Sequence, residues 1–248
     1  MLKRRIVIAV TIKTNMIHRK IKRISTGSKN LDDLLLGGIE THAITEFYGS
    51  WGAGKSQICY TLAMIAALSN ENEKVIYVDT EGKFRPERLA TNSNWLSNIL
   101  YVNAMTTPRQ EDILENSVIR LLDNRLNTIS LLIVDSIINN YRSEFLGPSN
   151  LPERQQRLYR LMELLSRMAQ GYGIAVVVTN QINSSHSCTI SHKSNSTGGN
   201  VMTYVSDYKI CLRRYNGDRI IATIVKSPFH LENSTKLVLS EKGIDDLQ

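Results

Sequence analysis

Short apolar runs alternate along most of the chain with longer segments of helical periodicity. Apolar residues at helical spacing predict helices over Lys55–Leu68, Pro108–Leu126 and Pro152–Gln170, two of which carry a proline in the first turn, where proline is tolerated. The predicted strands are Ile44–Tyr48, Val75–Asp79, Ile99–Val102, Leu131–Asp135 and Ile174–Asn180. Strands that alternate with helices are typical of a mostly parallel sheet with crossover helices, so the predicted fold class is α/β.

The C-terminal part of the chain has a different pattern. Asp207–Arg213 and Arg219–Val225 are strand-like and flank Asn216-Gly217, which is a strong signal for a hairpin turn. Lys236–Ser240 indicates one more strand. We therefore predict an antiparallel hairpin extension on the parallel core. Before it, Ser184–Asn200 is rich in Ser, Asn and Thr and too long for a simple connection, so it is a candidate functional loop.

Residues 49–56 have the sequence GSWGAGKS and match the phosphate-binding pattern G-x-x-x-x-G-K-[ST] at every fixed position. The glycines allow a tight turn whose N–H groups point at a phosphate, Lys55 would reach the outer phosphates, and the Ser56 hydroxyl would bind Mg²⁺. The loop lies between a predicted strand and a predicted helix, whose N-terminus attracts anions. The chain is thus predicted to bind a nucleoside triphosphate. The residues assigned to this site are Gly49, Gly52, Ala53, Gly54, Lys55, Ser56 and Gln57.

Two further strands end in carboxylates. Asp135 follows four apolar residues, at the edge of an open α/β sheet where ligands bind, and we expect it to hold Mg²⁺ opposite Ser56. Asp79 and Glu81 follow another strand, and hydrolysis of a phosphoanhydride needs a carboxylate that orients or deprotonates the attacking water. By spacing alone, either acid could do this.

Composition narrows the class of protein. The 248 residues, of which 42% are hydrophobic, can form one substantial core. Three cysteines without a C-x-x-C pair argue against a secreted disulfide framework, and no apolar run approaches the ~18 residues of a membrane helix. We therefore expect a soluble, cytoplasmic protein with no membrane partner.

The net charge of +7 is concentrated at the start of the chain. Residues 1–23 carry eight lysines and arginines and no acid, whereas the remainder has 22 basic and 23 acidic residues. We divide the chain into a basic tail, 1–23, and a near-neutral domain, 24–248. Such a tail attracts nucleic-acid phosphates without regard to sequence, although a solvated terminus would have the same composition.

From residue 24 to residue 244 the chain resembles the ATPase core of the RecA/RadA recombinases, closest to the archaeal RadA type. The motifs are GGIETHAITEFYGSWGAGKSQ (37–57), YVDTEGKFRPERL (77–89), LLIVDS (131–136), YRSEF with ERQQRL (141–145 and 153–158) and VTNQ (178–181). The resemblance implies the RecA-type P-loop NTPase fold and DNA-stimulated ATP hydrolysis, with Mg²⁺, in filaments or other assemblies that repair DNA by recombination. It also implies that Glu81 activates water, that Arg88 stacks on adenine, and that Gln181 connects the γ-phosphate to a DNA-binding loop.

The chain departs from this family in the regions that bind DNA and neighbouring subunits. The first DNA loop has Gly147-Pro148 where relatives have an arginine after the glycine, so Arg142 and Arg154 remain as phosphate contacts. The second loop, 182–199, has no aromatic residue, and Lys193 is its one permanent cation. We expect the protein to prefer single-stranded DNA. Proteins bind single-stranded DNA through stacking platforms and cationic grooves, so the second loop is poorly equipped for it. We expect the protein to lack the N-terminal helical domain of full-length RadA proteins, and residues 6–9 could replace their docking segment or belong to a disordered tail.

Two residues depart from the family pattern near the nucleotide. Tyr204 replaces a histidine that senses nucleotide in relatives. Lys226 stands where the archaeal family has an aspartate, in a segment that covers the ATP of the adjacent subunit. It could supply a positive charge to that ATP in trans or be an ordinary lysine of a hairpin strand.

Three functions remain open. The first is a recombinase paralog, an ATPase that binds DNA and assists or regulates the main strand-exchange protein. The second is a self-sufficient strand-exchange recombinase. The third is an adaptor that binds ATP and hydrolyses it incidentally. The expected partners are DNA and recombinase-family proteins, either copies of this chain or RadA-type proteins, in an oligomer or mixed assembly.

Overall fold

The computed structural model of the protein describes residues 20–89, 93–124, 128–182, 197–229, 232–240 and 243–247. The strands are β1 (Arg23–Ile24), β2 (Ile39–Glu40), β3 (Ile44–Gly49), β4 (Glu73–Asp79), β5 (Ile99–Asn103), β6 (Thr128–Asp135), β7 (Ala175–Gln181), β8 (Tyr208–Asn216), β9 (Arg219–Lys226), β10 (Asn233–Ser240) and β11 (Gly243–Asp246). The α-helices are α1 (Lys29–Leu34), α2 (Lys55–Ser69), α3 (Thr107–Asp112), α4 (Ile119–Asp123), α5 (Asn139–Glu144), α6 (Leu151–Tyr172) and α7 (Asn200–Val205). Short 3₁₀ turns cover Pro86–Leu89, Ser93–Asn98 and Pro148–Asn150, and a π-helical segment, Ile113–Val118, joins α3 to α4.

Nine strands form the main sheet, in the order β11-β10-β9-β8-β3-β7-β6-β4-β5. The six from β8 to β5 are parallel, whereas β9, β10 and β11 pair antiparallel at one edge. The predicted α/β fold with a parallel core and an antiparallel C-terminal extension is therefore confirmed.

The core lies on both faces of the sheet because successive strand residues point to opposite sides. On β6, Leu131 and Ile133 pack on the face covered by α2, whereas Leu132 and Val134 pack on the face covered by α6. The central strands β4, β6 and β7 are buried on both faces in this way, which is why they appear in the sequence as continuous apolar runs.

Several boundaries differ from the sequence predictions. The predicted helix over Pro108–Leu126 is divided by the π-helical segment, and α4 ends at Asp123. The hairpin pairs Asn216 with Arg219, so its turn is Gly217-Asp218 rather than Asn216-Gly217. Gly217 has φ 54°, which suits a glycine at the first turn position. Residues 183–196 of the predicted loop, and residues 6–9, lie outside the described residues.

The short ribbon of β1 and β2 joins residues on either side of the division drawn at 23/24. Arg23 pairs with Glu40 and donates to the carbonyl of Leu35 at 2.7 Å. Arg23 therefore belongs to the folded domain, although the predicted boundary placed it in the basic tail. In the parts of the chain described above, no helix is both long enough and apolar enough to cross a membrane.

Candidate nucleotide site

The glycine-rich loop follows β3 and leads into α2 at one edge of the sheet. Gly52 and Gly54 have φ of 73° and 93°, a backbone conformation that glycine adopts without strain. A Cβ on Gly49 would lie 2.3 Å from the carbonyl oxygen of Leu212, and one on Gly54 would lie 2.5 Å from Cδ1 of Ile220. The loop therefore rests directly on β8 and β9, and both positions exclude a side chain.

Lys55 is the first residue of α2 and turns back over the loop. Its Nζ donates to the carbonyl oxygens of Gly49 at 3.0 Å and Ser50 at 2.7 Å. Burial lowers the pKa of Lys55, and the nearby carboxylates of Asp135 and Glu81 oppose that shift. The lysine is thus a partly desolvated cation aimed at the centre of the loop, where a phosphate would meet it.

Asp135 lies at the end of β6 and is buried among hydroxyl donors. Tyr77 donates to its Oδ2 at 2.8 Å, Thr179 donates to its Oδ1 at 2.5 Å, and Ser56 also bonds to it. Burial raises the pKa of Asp135, while the three hydroxyl bonds act in the opposite direction. A buried carboxylate beside a hydroxyl oxygen is a donor set that fits a hard divalent cation. Ser56 and Asp135 are therefore the residues that would hold Mg²⁺.

The structure distinguishes the contacts of Asp79 from those of Glu81, the two acids that spacing left as alternatives for the carboxylate that activates water. The carboxylate of Asp79 accepts the backbone N–H groups of Glu81, Gly82 and Phe84, each at 2.9 Å, and the hydroxyl of Tyr101 at 3.2 Å. Asp79 is occupied in shaping the turn that follows β4. Glu81 faces the cavity, where Nζ of Lys83 lies 2.7 Å from its Oε2.

Gln181 ends β7 and connects two predicted functional residues. Its Nε2 donates to Oε1 of Glu81 at 3.4 Å, and its Oε1 accepts from Arg142 at 2.7 Å. The backbone carbonyl of Gln181 also accepts the N–H of Thr197 at 2.8 Å. A continuous path of hydrogen bonds therefore runs from Glu81 to α5, which precedes the expected first DNA loop.

These groups surround a cavity of about 520 Å³. The predicted residues that line it are Gly52, Ala53, Gly54, Lys55, Ser56, Gln57, Glu81, Asp135 and Gln181. Several other lining residues were not predicted from the sequence: Trp51, Tyr60, Lys83, Arg85, Thr179, Arg214 and Leu239. Lys83 and Arg85 belong to the motif that contains Glu81, so the sequence held a signal for them. Arg214 and Leu239 come from remote strands and have no local signal.

Three predicted site residues lie elsewhere. Nζ of Lys226 donates to the carbonyl oxygens of Thr203 at 2.8 Å and Ser206 at 2.6 Å, and so caps the C-terminal end of α7. Arg142 donates a hydrogen bond to Oε1 of Gln181. Among the described residues, Nε of Arg154 is buried without a hydrogen-bond partner. Lys193 and the side chain of Arg88 lie outside the described part of the structure.

A glycine-rich loop between a central parallel strand and a helix, opposite strand-end carboxylates, defines a P-loop nucleoside triphosphatase. The family model for Rad51 matches residues 17–247. The chain therefore belongs to the Rad51 family, whose members are ATPases of DNA recombination and repair. Proteins of this family use ATP with Mg²⁺, bind DNA and form oligomers or filaments.

Proposed function

We propose that this protein is a RadA-type recombinase paralog, an ATPase that binds DNA and assists or regulates the main strand-exchange protein. The observation that carries the proposal is a contrast within the chain. The nucleotide cavity is lined by Lys55, Ser56, Glu81, Asp135 and Gln181, the residues proposed for ATP binding and hydrolysis, whereas the segment 182–199 has one lysine and no aromatic residue for DNA.

ATP is the substrate that fits the cavity. The N–H groups of the glycine loop and Lys55 would bind the β- and γ-phosphates, and Lys55 would exchange its two carbonyl partners for phosphate oxygens. Mg²⁺ held by Ser56 and Asp135 would neutralise part of the triphosphate charge. Gly49 shapes the loop, and Gln57 is the next residue of α2 along the cavity.

Glu81 is the residue we assign to the attacking water. It lines the same cavity as the phosphate loop, and its two oxygens are held by Lys83 and Gln181. A carboxylate at hydrogen-bond distance from water can orient it and accept its proton. Arg88 retains its proposed role of stacking on the adenine.

The contacts of Arg142 favour a second role for Gln181, the coupling of nucleotide and DNA. Arg142 is one of the cations proposed to bind DNA phosphates, with Arg154 and Lys193, and in this structure it donates to Gln181. A DNA phosphate that attracts Arg142 would release Oε1 of Gln181, and Gln181 also contacts Glu81. DNA would therefore change the surroundings of the hydrolytic carboxylate.

Lys226 also remains assigned to the nucleotide, but to that of a neighbouring subunit. It does not line the cavity of its own chain, and it caps α7 through backbone carbonyls. A role in trans thus requires Lys226 to leave those carbonyls on assembly. The cytoplasmic location expected from the sequence stays a prediction.

Strand-pairing assays test the proposed function and separate it from the self-sufficient recombinase. The purified chain with ATP and single-stranded DNA should pair homologous strands poorly, and it should enhance pairing by an added RadA-type recombinase. The Lys55→Ala variant, which should not bind ATP productively, is the matched control. Efficient strand exchange by the chain alone would replace the paralog assignment with the second function.

A further inference from the structure

Lys83 directly contacts the carboxylate proposed to activate water. Its Nζ lies 2.7 Å from Oε2 of Glu81, and both side chains line the same cavity. The side chain of Lys83 is 66% exposed and that of Glu81 is 21% exposed, so the pair lies at the open side of the site. The bond to Glu81 is the main reason that the pKa of Lys83 is raised.

The turn that carries both residues is held by other bonds. The backbone carbonyl of Lys83 accepts the hydroxyl of Tyr60 at 2.7 Å, and Asp79 accepts the N–H groups of the surrounding residues. The main chain at Lys83 is thus fixed without its ammonium group. The contact with Glu81 is therefore free to serve the site rather than the turn.

We propose that Lys83 is a positioning residue for Glu81: with Gln181 it holds the carboxylate from both oxygens, and it offsets the negative charge that Glu81 meets when a triphosphate enters the cavity. This inference rests on the proposed function of Glu81.

The charges around Glu81 explain why such a cation is needed. Among the described residues, Lys83 and Lys55 are cations near this carboxylate, and Asp135 and Asp79 are nearby anions. Lys55 is expected to be taken by the phosphates, and the triphosphate adds further negative charge opposite Glu81. Like charges disfavour the ionised form that a general base requires. Lys83 is placed to compensate for that effect without occupying the phosphate loop.

The comparison of Lys83→Met with Lys236→Met tests this role. Lys236 is an exposed lysine of β10 that does not line the cavity, so its variant removes an equal charge away from Glu81. Lys83→Met should lower kcat for ATP hydrolysis about fivefold, as expected for a partly exposed ion pair, with KM nearly unchanged. Lys83→Arg should restore kcat, and Lys236→Met should change neither kcat nor KM.

The same variants in a Glu81→Gln background identify the path of the effect. If Lys83 acts through Glu81, Lys83→Met should cause no further loss of kcat there. A further fivefold loss, or a change in KM alone, would show that Lys83 acts on ATP directly and would overturn the proposal. Normal turnover by Glu81→Gln alone would refute the assignment of Glu81 instead, so the two failures are distinguishable.

Discussion

At the residue scale, Lys55 occupies a position that serves a ligand better than it serves the fold. Within the described part of the chain, its ammonium group bonds to carbonyls of its own loop, and burial disfavours its charged form. Removing it should relieve that desolvation while losing two hydrogen bonds, effects that oppose each other.

The first prediction therefore concerns Lys55→Ala. Hydrolysis of ATP should be abolished, whereas the thermal midpoint should change by no more than about 3 °C, because the lost bonds and the relieved desolvation nearly cancel. Turnover and circular dichroism melting measure the two quantities. Lys236→Ala, an exposed lysine of β10 away from the cavity, is the control and should leave both unchanged. Turnover near that of the wild type would refute the site.

The residue scale also shows what the sequence could not decide. Asp79 and Glu81 are two residues apart, and both are acids after a strand. The turn after β4 gives these two acids different contacts. Three backbone N–H groups donate to the carboxylate of Asp79, whereas the side chain of Glu81 lines the cavity. Such a convergence depends on backbone dihedrals, which spacing does not specify. The resemblance to the RecA/RadA recombinases favoured Glu81, and the contacts give a physical reason for that preference.

At the scale of elements, one polar cluster attaches the β1–β2 ribbon to the main sheet. The hydroxyl of Tyr208 on β8 donates to Oε2 of Glu40 on β2 at 2.7 Å, and Glu40 also pairs with Arg23 on β1. Burial, reinforced by the bond to Glu40, raises the pKa of Tyr208 to about 12. Between pH ~10 and ~12 the native state thus keeps the phenolic proton of Tyr208, whereas an unfolded tyrosine, with a pKa of about 10, loses it.

This cluster gives a pH-dependent prediction. The stabilisation from Tyr208 should be complete below pH ~10 and should be lost as the pH rises toward 12, because the unfolded state then binds fewer protons than the native state. Tyr208→Phe should lower the free energy of unfolding by about 1 kcal/mol at neutral pH and should remove that part of the alkaline decline. Denaturant melts between pH 7 and 12 measure both effects.

Tyr215→Phe, on the same strand but 36% exposed, is the matched control for these melts. It should retain the alkaline decline of the wild type. Equal declines in the wild type and in Tyr208→Phe would contradict the account of this cluster.

Elements also differ in how far a sequence specifies them. The strands β4, β6 and β7 were predicted because residues on both of their faces are buried and form apolar runs. The helices α5 and α7 were not predicted. Asn140 of α5 donates to the carbonyl of Ala104 at 2.7 Å, and α7 is capped by Lys226. Short helices held by remote partners leave no periodic signal.

At the scale of the whole molecule, the α/β class and the phosphate loop could be predicted because both depend on local patterns. The full lining of the cavity could not, because Arg214 and Leu239 reach it only through the C-terminal strands β8 to β10. The same strands support the loop at Gly54, so the C-terminal extension is part of the nucleotide site. ATP binding should therefore stabilise the entire domain rather than the loop alone.

The turnover of Glu81→Gln at saturating ATP and Mg²⁺ tests most directly the claim that this cavity hydrolyses ATP. The variant should bind ATP and gain thermal stability from it as the wild type does, because the phosphate loop, Ser56 and Asp135 are unchanged. Its kcat should be at least ~100-fold lower, because the carboxylate that orients and deprotonates water is gone. A kcat near that of the wild type, with ATP binding intact, would contradict the account.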